Sequence, residues 1–320
     1  MRIGFRRIAF TEDERRRIEA IAVEGGLKPV WLDDDAHLTP EAAAQYEVLM
    51  GFFPVEETRL ATNLKWLQIP SAGAEAYCGD CFANPDVVLT NGSGAYGGSI
   101  AEQMVCGFLM LMRHFHEYRG RQRTHTWGRT GENRTINGSS FCIVGTGNIG
   151  SELARRLRQL GASQIHGVNR SGRRPTDDYD INYTIDQLAE AVADVDGVAL
   201  VLPGTPETRG IVDAKVLAAM DKRTILINCG RGYTVDEAAL AQALASKQIY
   251  GAQLDVFEVE PLPAESPLWD LENVIITPHT AGGDDDPVNS RVIYTICEKN
   301  LRHYLAGEPL EHVVDRAKGY

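Results

Sequence analysis

No stretch of this chain approaches the ~18 consecutive apolar residues of a membrane-spanning helix, and residues 1–10 (MRIGFRRIAF) lack the continuous apolar segment of a secretory signal. Positive charge is also in short supply. The 32 Lys and Arg stand against 44 Asp and Glu, a formal net charge of −12, which argues against nucleic acid or an anionic membrane surface as partner. Cysteine is sparse: of six, only Cys78 and Cys81 lie close together. One CxxC cannot fill a four-ligand zinc site, and this pair does not open a helix in a thioredoxin-like setting, so no metal is expected and the pair reads as structural or incidental. Sequons at Asn91, Asn133, Asn137 and Asn182 carry no meaning without secretion. The expected compartment is the cytoplasm, and 320 residues with 43% hydrophobic content suffice for two domains with real cores.

Among what is present, three polar residues stand out because each sits just past a separate short apolar run. Arg231 follows residues 224–228 (TILIN), Glu260 follows 252–257 (AQLDVF) and His279 follows 274–277 (VIIT). The runs read as buried strands. As parallel neighbours they would deliver a guanidinium, a carboxylate and an imidazole to one carboxyl edge, where open α/β sheets bind ligands.

Upstream, the apolar run 140–144 (SFCIV) leads into Gly145, Thr146, Gly147, Asn148, Ile149 and Gly150 and then a helical pattern over 151–160. A GxGxxG between a strand and a helix predicts a dinucleotide loop, with the pyrophosphate resting on the helix N-terminus. The next strand, 164–168 (QIHGV), ends at Asn169, Arg170 and Ser171, nineteen residues beyond Gly150 (169 − 150), where an NAD site carries Asp or Glu. Here, with Arg173 and Arg174 close by, the chain offers donors and positive charge instead. That favours NADP(H), with NAD the weaker alternative and a solvated basic turn the bland one.

Two α/β units emerge along the chain. The first opens with a strand and a helix capped by Thr11-Glu12-Asp13-Glu14 that ends near Gly25-Gly26. Short strands follow at 30–32, 48–53, 67–70 and 87–90, and Thr39-Pro40 starts another helix. A long apolar helix over 100–118 leads into six strands beginning at Phe141, Ile165, Val198, Thr224, Ala252 and Val274, alternating with helices at 185–193, 214–220 and 236–246, as in a doubly wound sheet. Residues 119–139 read as an arm or loop. After the acidic run 284–287 a final helix to about 305 returns to the first unit. The expected domains are therefore a discontinuous substrate-binding unit, 1–97 and 287–320, and a dinucleotide-binding unit, 98–286, with the two crossings as a natural hinge.

The motifs together resemble those of the D-isomer-specific 2-hydroxyacid dehydrogenases, over nearly the whole chain. They are Gly145 to Gly150, residues 202–210 (LPGTPETRG), Asn228-Cys229-Gly230-Arg231-Gly232, 254–258 (LDVFE) with Glu260-Pro261, and 277–282 (TPHTAG). The resemblance is strongest to the NADPH-dependent glyoxylate/hydroxypyruvate reductase branch. It implies a Rossmann cofactor domain inserted into a smaller flavodoxin-like α/β substrate domain; a homodimer is also expected, with the 119–139 segment at the dimer contact or on the pocket rim. It also implies that Arg231 binds the substrate carboxylate and polarises its keto oxygen, that His279 is the acid/base, and that Glu260 supports His279. Asp255 matches the position near the nicotinamide carboxamide. Leu202, Pro203, Thr208, Asn228, Cys229, Gly230, Ala281 and Gly282 match other cofactor-binding positions, and Ala72 and Gly73 match a loop whose backbone N–H groups hold the substrate carboxylate.

The chemistry agrees with those roles. Reducing a 2-oxo acid needs hydride at C2, a proton on its oxygen and a grip on a carboxylate, for which a planar five-donor Arg is well suited. An imidazole titrates near working pH, and an adjacent carboxylate favours its charged form. Formate oxidation has no oxygen to protonate after hydride loss, and an extended phosphoglycerate dehydrogenase carries a further regulatory domain, so a reductase of glyoxylate or hydroxypyruvate is the expected function. A corepressor-like protein that binds dinucleotide as a signal is the alternative.

Overall fold

Capping chemistry sets the first helices. Thr11 accepts the Glu14 N–H while the Glu14 carboxylate accepts from the Thr11 N–H, so the helix Glu12–Glu24 starts on a reciprocal capping box and stops at Gly25. Thr39 Oγ1 caps Pro40–Ala43 by accepting the Ala42 N–H, a one-way cap, with Pro at the position whose N–H would be orphaned. The structure, a computed structural model, describes residues 1–283 and 286–319, so Asp284 and Asp285 of the acidic run lie outside the described residues.

The chain divides into two compact units, Met1–Tyr96 with Gly283–Tyr320, and Gly97–Gly282. The first unit holds five parallel strands: β1 (Arg2–Arg6), β2 (Lys28–Trp31), β3 (Tyr46–Gly51), β4 (Trp66–Gln68) and β5 (Val88–Thr90), in the order β2-β1-β3-β4-β5. That is the flavodoxin-like order. Leu49, Phe53, Leu67, Ile69, Tyr77 and Leu89 form its core. The helix Pro287–Ala306, capped by Asp286 and closed by Gly307 at φ 70°, belongs to this unit.

The second unit holds seven parallel strands: β6 (Ser140–Val144), β7 (Gln164–Val168), β8 (Ile181–Tyr183), β9 (Gly197–Leu200), β10 (Ile225–Asn228), β11 (Gly251–Leu254) and β12 (Val274–Ile276). Their order, β12-β11-β10-β9-β6-β7-β8, is the Rossmann order with one strand added. β9, β10 and β11 are buried at every position, as expected of parallel strands covered on both faces. The order reverses between β6 and β9, the kind of switch point at whose carboxyl edge open α/β sheets bind ligands.

Three expectations need correction. Six strands were expected in this unit and seven form, because β8 is a three-residue edge strand carrying Asn182 and pairs only with β7, too short and polar for a periodicity signal. The single long helix is two, Gly97–Met112 and Phe115–Arg123, broken where His114 adopts φ 58°. The His114 imidazole lies 2.9 Å from a Glu117 carboxylate oxygen and 3.1 Å from the Glu132 carbonyl, so side-chain bonds hold the break. Consequently the arm begins after Arg123 rather than at 119.

Candidate active site

β10, β11 and β12 are hydrogen-bonded neighbours, with Asn228 opposite Leu254 and Leu254 opposite Ile276. The loops leaving these strand ends carry Arg231, Asp255 with Glu260, and His279. The Asn228 side chain shapes the first loop: its Oδ1 accepts the Gly230 N–H at 3.0 Å and its Nδ2 donates to the Arg231 carbonyl at 3.1 Å. Thr234 Oγ1 donates to the same carbonyl at 2.6 Å. Gly232 then passes so close to the second loop that a Cβ there would stand 1.9 Å from the Phe257 carbonyl carbon. Any side chain at Gly232 would force the two loops apart.

Glu260 Oε1 accepts the Phe257 N–H at 3.0 Å, and Oε2 lies 2.7 Å from His279 Nδ1. An ionised carboxylate only accepts, so Nδ1 carries the proton in this pair and Nε2 is left for a substrate. His279 sits at φ 53°, a left-handed conformation rare for a residue with a side chain, and its N–H donates to the Asp255 carbonyl at 2.8 Å. The His279 side chain remains half exposed, as contact with a ligand requires.

Asp255, at the end of β11, is 1% exposed and ties down the loop that carries His279. Oδ1 accepts from Thr277 Oγ1 at 2.6 Å, the Thr280 N–H at 3.0 Å and Gln103 Nε2 at 3.0 Å, while Oδ2 accepts the Ala281 N–H at 3.0 Å. Beneath it Gln253 Nε2 donates to Thr277 Oγ1, and the Cys229 thiol points to Gln253 Oε1. Burial, and then the Asp255 charge, push the Cys229 thiol well up, so it stays neutral and packs.

The glycine loop fits a dinucleotide on three separate counts. Gly145 has φ 104°, and a Cβ there would meet the Val201 carbonyl at 2.7 Å. A Cβ on Gly150 would meet the Gly145 carbonyl at 2.0 Å, so this glycine allows the helix to lie against the strand. Gly147 has open space above it and begins the helix Asn148–Gln159 with no side-chain cap, leaving first-turn N–H groups for a pyrophosphate. Thr146, Asn148 and Ile149 complete this turn. Leu202 and Pro203 follow β9, where Thr208 Oγ1 donates to the Pro203 carbonyl at 2.8 Å and closes that loop. Gly230 packs against Leu202, and Ala281 and Gly282 follow β12, so these residues run along one carboxyl edge.

At the end of β7, Asn169 is occupied with the turn itself. Its Nδ2 donates to Thr146 Oγ1 at 2.8 Å and to the Arg173 carbonyl at 2.9 Å, and its Oδ1 accepts from the Ser171 N–H and hydroxyl. Arg174 turns to the Tyr179 carbonyl and Asp177. Arg170 is the cation that acts across to the β9 loop: the exposed Glu207 carboxyl is held below its usual range by its own N–H and Thr205 first, and by Arg170 as well.

Ala72 and Gly73 belong to the first unit, in the loop after β4. Successive carbonyls of this loop are bonded inward: Pro70 to Tyr96 OH, Ser71 to the Gly92 N–H, Ala72 to Asn91 Nδ2 and Gly73 to Ser71 Oγ. Cys78 and Cys81 lie just beyond, both thiols pushed up by burial first and donating to backbone carbonyls. Gln103 and Gln253 carry no motif that marks them in the sequence; Gln103 stands beside the exposed Glu102 in a largely apolar helix and reads there as a second solvent-facing polar residue.

Residues 105–281, more than half of the chain, match the family described as "D-isomer specific 2-hydroxyacid dehydrogenase, NAD binding domain". The chain is 34% identical to the (S)-sulfolactate dehydrogenase of Chromohalobacter salexigens over 71% of its own length and 72% of that protein. It is 30% identical to the D-3-phosphoglycerate dehydrogenase of Mycobacterium tuberculosis over 88% of its length, but spans only about half (52%) of that relative. Among solved structures, a D-isomer specific 2-hydroxyacid dehydrogenase family protein from Aeromonas salmonicida superposes with a TM-score of 0.85 at 30% identity, covering 98% of this chain and 99% of that one. The NADPH-dependent glyoxylate/hydroxypyruvate reductase of Sinorhizobium meliloti, in complex with NADP and sulfate, gives 0.80 at 27% identity with full coverage of both.

Proposed function

This chain belongs to the D-isomer specific 2-hydroxyacid dehydrogenase family, and on that premise we propose that it uses NADPH to reduce a small 2-oxo acid reversibly to the 2-hydroxy acid, glyoxylate to achiral glycolate or hydroxypyruvate to (R)-glycerate. NAD(H) is the weaker alternative cofactor. The observation that carries the reading is the 2.7 Å contact between His279 Nδ1 and Glu260 Oε2 on the strand end beside the one that carries Arg231. Bound nicotinamide supplies the hydride. Arg231 grips the carboxylate and draws charge from the keto oxygen, and His279 Nε2 delivers the proton to that oxygen as C2 is reduced. Glu260 holds the ring in the competent tautomer and stabilises it while it carries two protons.

NADPH rather than NADH is supported by Arg170 in a turn, residues 169–173, that carries neither Asp nor Glu where an NAD site has one. The proposal extends to a cytoplasmic homodimer. Leu109, Phe115 and Trp127, all exposed in the second unit, supply apolar surface of the kind a subunit contact covers. Among the described residues no helix is long and apolar enough to cross a membrane.

The test is oxidation of NADPH and, in parallel, NADH with glyoxylate, hydroxypyruvate, its 3-phosphate and 3-sulfopyruvate. Turnover of the first two with NADPH is expected. Failure with every 2-oxo acid would reject the reaction, and preference for the phosphate or sulfonate would reject the substrate.

A further inference from the structure

The catalytic loop after β12 is held from below by a helix that no motif marks. Gln103, on the helix Gly97–Met112, donates from a single Nε2 to Asp255 Oδ1 at 3.0 Å and to Thr277 Oγ1 at 3.1 Å. Thr277 Oγ1 in turn donates to Asp255 Oδ1, so amide, hydroxyl and carboxylate close a three-membered ring of hydrogen bonds. Asp255 then accepts the Thr280 and Ala281 N–H groups, which bracket the left-handed turn at His279 from its far side. The adjoining polar group, Gln253 Nε2, also donates to Thr277 Oγ1.

We infer that Gln103 is a positioning residue: its amide fixes Asp255 and Thr277 so that residues 277–281 present His279 in its productive conformation. The role rests on the reaction proposed above. Three donors saturate Asp255 Oδ1, while among the described residues Oδ2 receives the Ala281 N–H. A hydrogen bond to a buried carboxylate is among the stronger ones, and leaving that carboxylate short of a donor loosens whatever else it holds.

The experiment compares the wild type with Q103L, Q103E and, as a control on the same helix, E102Q, since Glu102 is exposed and among the described residues pairs with Arg156 at 3.5 Å. Amide exchange at Thr280 and Ala281 is measured against the β10 amides, which report global opening. Q103L should speed exchange at those two amides by about 10-fold or more with β10 unchanged. It should also lower kcat by about 10–100-fold, while KM for the 2-oxo acid and the Kd of NADPH stay near wild type.

Q103E is nearly isosteric and guards against a packing artefact. Ionised, its carboxylate opposes Asp255; protonated, it donates. Its kcat relative to wild type should therefore rise as the pH is lowered, while the ratio for Q103L stays flat. The titratable group in contact with this position is Asp255; the neutral Cys229 thiol adjoins through Gln253, and His279 lies on the held loop with its ring on Glu260. Unchanged exchange at Thr280 and Ala281 in a folded Q103L, or equal ratios for Q103L and Q103E at every pH, overturns the inference. Faster exchange in Q103L alongside a wild type inactive on all 2-oxo acids keeps the loop assignment and rejects the reaction instead.

Discussion

His279 and Glu260 meet at 2.7 Å although their loops leave different strands, β12 and β11, and each is fixed by its own backbone contacts, His279 through the Asp255 carbonyl and Glu260 through the Phe257 N–H. The β11 segment thus supplies both the carboxylate and, through Asp255, the anchor of the loop that carries its imidazole partner.

His279→Ala should lower kcat for reduction by about 10²–10⁴ while leaving NADPH affinity unchanged. Glu260→Gln keeps the shape but replaces an obligate acceptor with an amide that can also donate, so the ring tautomer is no longer fixed and kcat should fall by about 10-fold or more. Steady-state kinetics with NADPH titration checks both. A full-speed His279→Ala enzyme would remove His279 from the chemistry.

Arg231→Lys retains charge and loses the planar fork. We expect about 10²-fold or more off kcat/KM for the 2-oxo acid, shared between a lower kcat and a higher KM, with the Kd of NADPH nearly constant. Aldehydes without a carboxylate should be poor substrates and should suffer less. If instead NADPH binding collapsed while KM for the oxo acid held, Arg231 would belong to the cofactor site.

Arg170→Ala should narrow the preference for NADPH over NADH by about 10–100-fold, the worth of one charge-assisted contact of about 1.5–3 kcal/mol, mainly through KM for NADPH. Asn169→Asp is the poorer probe because Asn169 Nδ2 holds the turn together. Equal kcat/KM for both cofactors in the wild type would refute the preference.

Asp196 offers a test of stability against pH. Burial alone would raise its carboxyl, but the Ser140 N–H at 2.9 Å and the Arg134 guanidinium at 2.9 Å outweigh that and hold it below the ordinary aspartate range. A carboxyl depressed in the folded state stabilises above its unfolded range and loses that contribution as the pH falls through the folded value. Asp196→Asn should therefore cost about 1–2 kcal/mol near neutral pH, and the gap to wild type should close below about pH 4. Urea melts at several pH values would show it, and a gap that widened in acid would reverse the sign.

The parts of the site legible in the sequence were those where one short segment carries strand, turn and functional group together. TILIN running into Cys229-Gly230-Arg231, or SFCIV running into Gly145, needs no distant partner to be read. What stayed hidden depends on contacts between segments. The break at His114 is held by Glu117 and the far-off Glu132 carbonyl. β8 exists because β7 offers it an edge. Asn169 reads as a ligand donor from position alone, yet spends both its N–H groups on Thr146 and Arg173. Gln103 reaches Asp255 across 152 residues of chain, beyond any local pattern.

Gly232 lies with its backbone against that of Phe257, with no room for even one carbon between them. The guanidinium-bearing turn and the carboxylate-bearing turn thus share a seam, and neither can be lengthened, shortened or re-angled without disturbing its neighbour. Insertions and deletions, the coarse instruments of divergence, are barred there. New substrate preferences in descendants of this chain would have to arise by exchanging side chains elsewhere around the pocket, with the seam inherited intact.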